Sequence, residues 1–460
     1  MNTAPHNNRW TSPHPDDFQK AILASVALIA VGLVLLLSTL ARAAPAATDP
    51  GTTGPCTTSN QVVYINGTLT TTIYHPTSCG TWASAPYPGI AFAHGFSLFN
   101  LTDGMADNSG NGQHLASWGY VAAIPKLPDD AETRVTNLRA VLTYLETQTA
   151  APGSFLYQKV DVNRLATAGH SLGGSTALAT AARDARVKAV VGLDPVNHGG
   201  APGQTQEVWN AAAEAPLISA PTGILGAPSS SCNDNSDYAE IYSYVGATHK
   251  ASYLLNGVSH CVFAIPGNQF CTITCSGAVD AAKQLLVKRY MTGWFNYYLL
   301  YKTEDYTYLY GTQSAADVSA GLIVKQESTA PRNFSANPAA GSIDLAWTRY
   351  PHPIVAGYNI YRRQAGQSYS ATPYAQVGSV PNYADAGVAA GEVYSYTVRS
   401  RDPAGNVHQA STERSVVAQG GTANTPTHTP TPTATPTRTP TPTATIHFTD
   451  FVYLPVIYRH

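Results

Sequence analysis

The 460-residue chain has few charged residues: they make up only 12% of it, against ~25% in an average soluble protein. Its 26 Lys and Arg residues nearly balance its 28 Asp and Glu residues, so the net charge is −2. Proteins that bind nucleic acid through phosphate contacts need a basic surface, and this composition excludes that class. Because 44% of the residues are hydrophobic, disorder along the whole length is also excluded.

Motifs for phosphate or zinc chemistry are missing as well. The six cysteines stand in no Walker, HExxH or paired CxxC context, and the sequence implies no metal or organic cofactor. An even number of cysteines is typical of secreted proteins, in which they form disulfides. Proximity in the sequence suggests three pairs, although other connectivities stay open: Cys56 with Cys79, Cys232 with Cys261, and Cys271 with Cys275.

The N-terminus carries a targeting segment. Residues 21–40 form an unbroken apolar run after Lys20, and Ala-Arg-Ala ends at Ala43. Residues 1–44 therefore read as a signal peptide, and the small residues favour cleavage near Ala43 or Ala44. An uncleaved membrane anchor is the alternative, because ~20 apolar residues can span a bilayer. Either interpretation predicts a secreted or cell-surface protein.

Residues 45–320 have the pattern of an α/β domain. Short apolar runs alternate with helical stretches, which is typical of a largely parallel sheet. Helices are expected at 131–147, capped by Asp130, after Ser171, and at 277–300. Strands are expected at 68–76, 88–95, 120–126, 165–170, 187–194, 222–227 and 250–257.

A second, all-β domain is expected over residues 328–419, where short strands recur about every 8–12 residues, as in β-sandwiches. The segment resembles a fibronectin type III domain, with Trp347, Tyr358 and Tyr361 on successive strands. These aromatic side chains are predicted to pack in its core. Contact with a cell surface or a polymer is the function considered for this domain.

The residues that follow the all-β domain differ from it in composition. Residues 420–445 repeat Thr-Pro and predict an extended linker. Residues 446–460 form an apolar tail, too short to cross a bilayer. A docking or sorting element and a stray edge strand are both open readings of this tail.

The strongest chemical signal is Gly169-His170-Ser171-Leu172-Gly173, set between a buried strand and an Ala-rich helix. A serine hydroxyl is a weak nucleophile unless a base can reach it, and a sharp strand-to-helix turn exposes it to one. The context predicts a nucleophile elbow with Ser171 as the nucleophile.

The base should follow Ser171, since the order on this fold is serine, acid, histidine. His198, His249 and His260 are candidates within the domain. His260 is preferred because it follows the last predicted strand of the sheet, whereas His249 precedes that strand. His94 and His170 are expected to be structural members of their turns.

Two loops could supply the acid that orients His260. Asp194 directly follows the strand that ends at Leu193, and a rigid strand end orients a catalytic group well. Asp234 and Asp237 lie in the loop after the next strand, near Cys232. Asp194 is preferred, and the other two stay open.

The oxyanion of the reaction needs two amide donors. On this fold one comes from the residue after the nucleophile and one from the loop after an early strand. These positions are Leu172 and Phe96, and Gly95 permits the turn that aims the second amide.

The motifs HGF at 94–96, LASWGYVAAIPK at 115–126, VDVNRLATAGHSLGG at 160–174 and YLLNGVSHCVF at 253–263 resemble α/β-hydrolases. The similar groups are chlorophyllases, platelet-activating-factor acetylhydrolases and bacterial polyester (cutinase-like) hydrolases, over about residues 60–305. In the first two groups the acid corresponds to Asp194. In the third it follows the next strand, where this sequence has GAPSSSCND.

The sequence thus predicts a secreted serine hydrolase of carboxylic esters, monomeric, acting on a small ester, a lipid or a polyester. The triad is Ser171, Asp194 and His260. The alternative is a surface adhesion or polymer-binding protein whose hydrolase domain is a relic.

Overall fold

The computed structural model describes residues 48–96, 104–197, 211–233, 236–267, 269–275 and 279–420. The predicted signal peptide, the Thr/Pro-rich linker from residue 421 onward and the apolar tail lie outside the described residues. Within those residues, no helix has both the length and the apolar character needed to cross a membrane.

The first domain is built on one nine-stranded sheet. Its strands are β1 Thr57–Ile65, β2 Leu69–Ser78, β3 Tyr87–Ala93, β4 Val121–Pro125, β5 Val160–His170, β6 Val187–Leu193, β7 Thr222–Gly226, β8 Lys250–Leu255 and β9 Ile323–Ser328. Their spatial order is β1-β2-β4-β3-β5-β6-β7-β8-β9. The six strands from β4 to β8 in this order pair in parallel, and β1, β2 and β9 are antiparallel additions.

All seven predicted strands are present in this sheet, and the α/β class is confirmed. Two further strands, β1 and β9, were not predicted. β1 is an edge strand with mostly exposed residues, so it lacks the buried pattern that marks the central strands. β9 extends the sheet to Ser328, past the predicted domain boundary at residue 320.

Helices fill the connections between strands. Asp130 caps the longest of them, because its side chain accepts a hydrogen bond from the Thr133 amide at 2.8 Å. The helices are α1 Gly104–Asp107, α2 Ser109–Ser117, α3 Ala131–Ala150, α4 Leu172–Arg183, α5 Ala211–Glu214, α6 Asp237–Tyr244, α7 Gln269–Thr274, α8 Ala281–Leu299, α9 Tyr306–Leu309 and α10 Thr312–Ser319. Short 3₁₀ turns cover Ala215–Leu217, His260–Phe263 and Thr303–Asp305.

The second domain consists of two antiparallel sheets. One contains β10 Ser335–Ala339, β11 Ser342–Ala346 and β14 Asn382–Asp385; the other contains β12 Gly357–Gln364, β13 Ala375–Gly378, β15 Val393–Arg401, β16 Val407–Ala410 and β17 Arg414–Val417. Trp347 and Tyr358 are buried between them and Tyr361 is half-buried. This all-β domain is therefore present where the sequence predicted it.

The two domains share a buried interface. Arg332 donates hydrogen bonds to the carbonyl oxygens of Gly246 and Ala247, at 2.7 and 2.5 Å. The hydroxyl of Tyr297 on α8 lies 3.2 Å from a carboxylate oxygen of Asp402. One hydrophobic cluster runs continuously from α8 into the second domain. The all-β domain is thus packed onto the first domain.

Candidate active site

Ser171 occupies a strained turn between β5 and α4. Its backbone has φ +58° and ψ −127°, a conformation that a residue with a Cβ atom rarely adopts. The Ser171 amide donates to the Leu193 carbonyl at 2.9 Å, and its carbonyl accepts from the Gly174 amide at 2.8 Å. The half-buried serine side chain is therefore held at the carboxyl end of the parallel strands.

Glycine is required on both sides of this turn because backbones pass too closely for a side chain. A Cβ atom on Gly169 would lie 2.2 Å from the Gly173 carbonyl oxygen. A Cβ on Gly173 would lie 2.1 Å from the Ala93 carbonyl oxygen, at the end of β3. The glycine spacing of the motif thus has a steric cause.

His260 and Asp194 form a buried pair. Nδ1 of His260, at the start of a 3₁₀ turn after β8, lies 2.6 Å from Oδ2 of Asp194. Asp194 directly follows β6, is fully buried and has φ +42°. Since a carboxylate oxygen accepts hydrogen bonds, Nδ1 carries the proton, which leaves Nε2 as the free imidazole nitrogen.

The second carboxylate oxygen of Asp194 is also satisfied. Its Oδ1 accepts from the Ala227 amide at 3.0 Å and from Nδ2 of Asn233 at 3.1 Å. Asn233 was not among the residues predicted to belong to the site. In the sequence Asn233 is an amide residue beside Cys232. That position does not distinguish a residue that binds the Asp194 carboxylate from an ordinary turn residue.

The other acid candidates have different positions. Asp237 begins α6 and accepts a hydrogen bond from the Asn197 amide through Oδ2 at 2.6 Å. Asp234 and the base candidate His198 lie outside the described residues. His249 bonds to the Tyr298 hydroxyl at the domain interface, as expected for a residue that precedes β8. The structure thus brings His260 to Asp194.

His170, which precedes the nucleophile, connects the elbow to the histidine loop. Its Nε2 donates to the His260 carbonyl at 2.9 Å, and the two rings are 4.7 Å apart. Burial is the main reason why the pKa of His170 is well below its usual range. A neutral His170 therefore fixes the backbone from which His260 projects.

The two expected oxyanion donors flank Ser171. Leu172 is buried at the first position of α4, next to Ser171 in the chain. Phe96 is half-buried two residues after His94. Between them, a Cβ atom on Gly95 would lie 3.2 Å from the Cβ of Ser171, so the Phe96 turn passes close to the serine.

One predicted disulfide is confirmed and two are wrong. Within the turn that ends α7, the sulfurs of Cys271 and Cys275 are 3.8 Å apart, longer than an S–S bond of ~2.05 Å. Each sulfur pairs with a different loop instead. The disulfides are Cys56–Cys79, Cys232–Cys275 and Cys261–Cys271.

This connectivity ties both sides of the acid–histidine pair to one helix. Cys261 follows His260 and Cys232 precedes Asn233, and both are bound through α7. Cys261, Cys271 and Cys275 also form the one group in the described part of the chain that could hold a metal. Because all three are oxidised in disulfides, they are not thiolate ligands.

Comparisons with known proteins identify related hydrolases. A family model described as PET hydrolase-like matches residues 43–293. Bis(hydroxyethyl) terephthalate hydrolase of Streptomyces coelicolor is 27% identical over 253 residues, which are 50% of this chain and 73% of that protein. Cutinase est1 of Thermobifida alba is 29% identical over 194 residues, 41% of this chain and 57% of that protein.

A different relative, exoglucanase B of Cellulomonas fimi, is 34% identical over 96 residues, which are 20% of this chain and 8% of that protein.

The family match covers more than half of the chain and includes the elbow, the acid–histidine pair and the expected oxyanion donors. Of the three groups that the sequence motifs resemble, the polyester (cutinase-like) hydrolases are the ones these matches name. The chain therefore belongs to the PET hydrolase-like family of α/β-hydrolases and is a carboxylic ester hydrolase.

Proposed function

We propose that the protein is a secreted or cell-surface serine hydrolase that cleaves carboxylic esters through an acyl-enzyme. The single observation that carries this proposal is the buried 2.6 Å pair of His260 and Asp194, on the same sheet edge as the strained Ser171. The three disulfides support an oxidising location.

In this mechanism, Oγ of Ser171 attacks the ester carbonyl carbon. Nε2 of His260 takes the serine proton, because Nδ1 is held by Asp194, and then gives it to the leaving alcohol. The amides of Phe96 and Leu172 bind the oxyanion of the tetrahedral intermediate. In the second half, His260 activates a water molecule that attacks the acyl carbon and releases the acid and Ser171.

We propose polyesters, and esters of an aromatic diacid such as bis(hydroxyethyl) terephthalate, as the substrate class. The support is the similarity to proteins named for terephthalate and cutin esters. A panel of p-nitrophenyl esters of increasing acyl length, bis(hydroxyethyl) terephthalate and a polyester film, run with the full chain, tests the class. Hydrolysis of p-nitrophenyl esters only would contradict the polyester assignment.

Covalent labelling tests the mechanism itself. A fluorophosphonate reacts with an activated serine and not with a mere binding site. We expect stoichiometric labelling of the native protein, with the adduct on the peptide that contains Ser171. Native protein that takes up no label would instead favour a polymer-binding protein with a relic hydrolase domain.

We propose that Asp194 is the acid of the triad. Asp194→Asn is expected to lower kcat for p-nitrophenyl acetate by about 10⁴-fold, because an amide no longer holds the imidazole in the required tautomer. Asp237→Asn and Asp234→Asn are the matched controls and should retain most of the activity. A loss in Asp237→Asn as large as that in Asp194→Asn would refute this assignment.

We propose that the all-β domain is a fibronectin type III domain. Its two sheets and buried Trp347 and Tyr358 fit that architecture. The similarity to a segment of an exoglucanase supports a role in contact with a polymer or a cell surface. We also propose that the enzyme acts as a monomer.

A further inference from the structure

A fully buried arginine is hydrogen-bonded to the two segments that carry the expected oxyanion donors. Arg134, on α3, has no exposed surface. Its guanidinium donates to the Pro128 carbonyl at 2.7 Å, to the Thr176 hydroxyl at 3.1 Å and to the His94 carbonyl. These three acceptors are neutral, and the nearby charge of Asp129 also favours the cationic guanidinium. The three hydrogen bonds join Arg134 to three different segments of the fold.

One arm of Arg134 supports the turn that carries Phe96. The His94 carbonyl, which accepts from Nη2 of Arg134, is two residues before Phe96. Nδ1 of His94 donates to the Gly95 carbonyl at 2.7 Å, and Nε2 accepts from the Leu127 amide at 2.9 Å. The backbone that leads into the Phe96 amide is therefore fixed at two consecutive carbonyls.

The other arm reaches the turn that carries Leu172. The Thr176 hydroxyl, which accepts from Nε of Arg134, donates to the Leu172 carbonyl at 2.7 Å. Thr176 is thus a bridge between the guanidinium and the first turn of α4. One planar cation connects the two segments whose amides are expected to bind the oxyanion.

We propose that Arg134 is a positioning residue that holds the two oxyanion donors at a fixed separation and places a positive charge close to the developing oxyanion. This inference rests on the proposed acyl-enzyme mechanism. A preorganised charge in a water-excluded site stabilises the transition state more than the ground state. Burial lowers the pKa of Arg134 to about 9, so the side chain is still a cation at neutral pH.

Arg134→Gln tests the proposal, with Arg139→Gln as the matched control on the same helix. The Arg139 side chain is half exposed and pairs with Asp184 at 3.3 Å. We expect Arg134→Gln to lower kcat by about 10–100-fold with little change in KM, because the interaction is made in the transition state. Arg134→Lys should recover part of the lost kcat, since lysine keeps the positive charge but not the planar guanidinium with its several donors.

A boronic acid inhibitor separates positioning from folding. It binds as a tetrahedral anion, so its Ki should rise in Arg134→Gln in parallel with the loss of kcat. If Arg134→Gln does not fold, Thr176→Val is the second variant. Valine has the shape of threonine, and the substitution removes only the hydroxyl that links Arg134 to the Leu172 carbonyl. It should lower kcat and weaken the boronate by about threefold to tenfold.

The proposal is overturned if kcat per folded molecule and the boronate Ki stay at wild-type values while only the Tm falls. Failure of the acyl-enzyme mechanism would give a different result, namely a wild-type protein that a fluorophosphonate does not label.

Discussion

Ser171→Ala is expected to lower kcat for p-nitrophenyl acetate by about 10⁶-fold, the order found when a serine hydrolase loses its nucleophile. Alanine also carries a Cβ atom, so the strain at φ +58° is unchanged and the variant should fold like the wild type. Binding of a non-reactive ester analogue should persist, since the oxyanion amides are backbone groups. Stopped-assay kinetics with purified protein, together with the Tm, measure this loss.

Ser175→Ala is the matched control. Ser175 lies in α4, the helix that follows Ser171, is fully buried, and its hydroxyl donates to the Val196 carbonyl. Removing that hydrogen bond should lower stability by about 1–3 kcal/mol while kcat stays near the wild-type value. Comparable losses of kcat in Ser171→Ala and Ser175→Ala would show that general disruption of the helix, and not loss of a nucleophile, explains the effect.

The parts of the site that follow from local sequence were the most predictable. The elbow needs a strand, a turn with glycines and a helix within a dozen residues, and all are visible around Ser171. His260 could be predicted as the base because it follows the last predicted strand of the sheet. The choice between Asp194 and Asp237 depended on the path of the loop after β7, which no local periodicity determines.

The features that the sequence did not reveal depend on distant contacts. The disulfide partners of Cys271 and Cys275 are set by how α7 faces two loops. The role of Arg134 is invisible because its acceptors are two carbonyls and a hydroxyl, and backbone groups carry no sequence signature. The contact between the domains was not predicted, because it joins residues far apart in the sequence, such as Tyr297 and Asp402.

Acidification below about pH 6.5 is expected to destabilise the whole protein steeply. Six histidines have pKa values far below the ordinary value, mainly because burial disfavours the charged ring: those of His94, His114 and His408 fall to about 3, that of His352 falls to about 4, and those of His170 and His249 lie well below 6.5. The unfolded chain therefore takes up these protons first. Stability is fully present above pH 6.5 and falls as the pH decreases towards 3.

Each histidine contributes up to ~1.4 kcal/mol per pH unit in this window. Six together can therefore remove a large part of a typical stability of ~5–15 kcal/mol. Asp305 acts in the opposite direction, because burial raises the pKa of its carboxyl, but it is one group against six histidines. Thermal melts between pH 8 and pH 4.5 should show the Tm decreasing steeply below pH 6.5. A Tm that is constant from pH 8 to pH 5 would contradict this prediction.

Two of these histidines make the domain interface the weakest point in acid. The rings of His249 and His408 are 4.7 Å apart, and Nε2 of His249 and Nδ1 of His408 have no hydrogen-bond partner within the described chain. A proton on either ring would face the other ring, and the nearby Arg332 further disfavours charge on His249. Asp402, an acidic residue at this interface, is already bonded to Tyr297 and Asn406.

The double variant His249→Phe, His408→Phe isolates this contribution. Phenylalanine keeps the ring that stacks on Tyr350 at 4.3 Å and cannot take up a proton. The substitutions remove two hydrogen bonds to tyrosine hydroxyls, so the Tm at pH 8 can fall. The informative quantity is therefore the loss of unfolding free energy between pH 8 and pH 5, which should be smaller than in the wild type by roughly a third. An equal loss in both proteins would mean that acid sensitivity arises elsewhere in the fold.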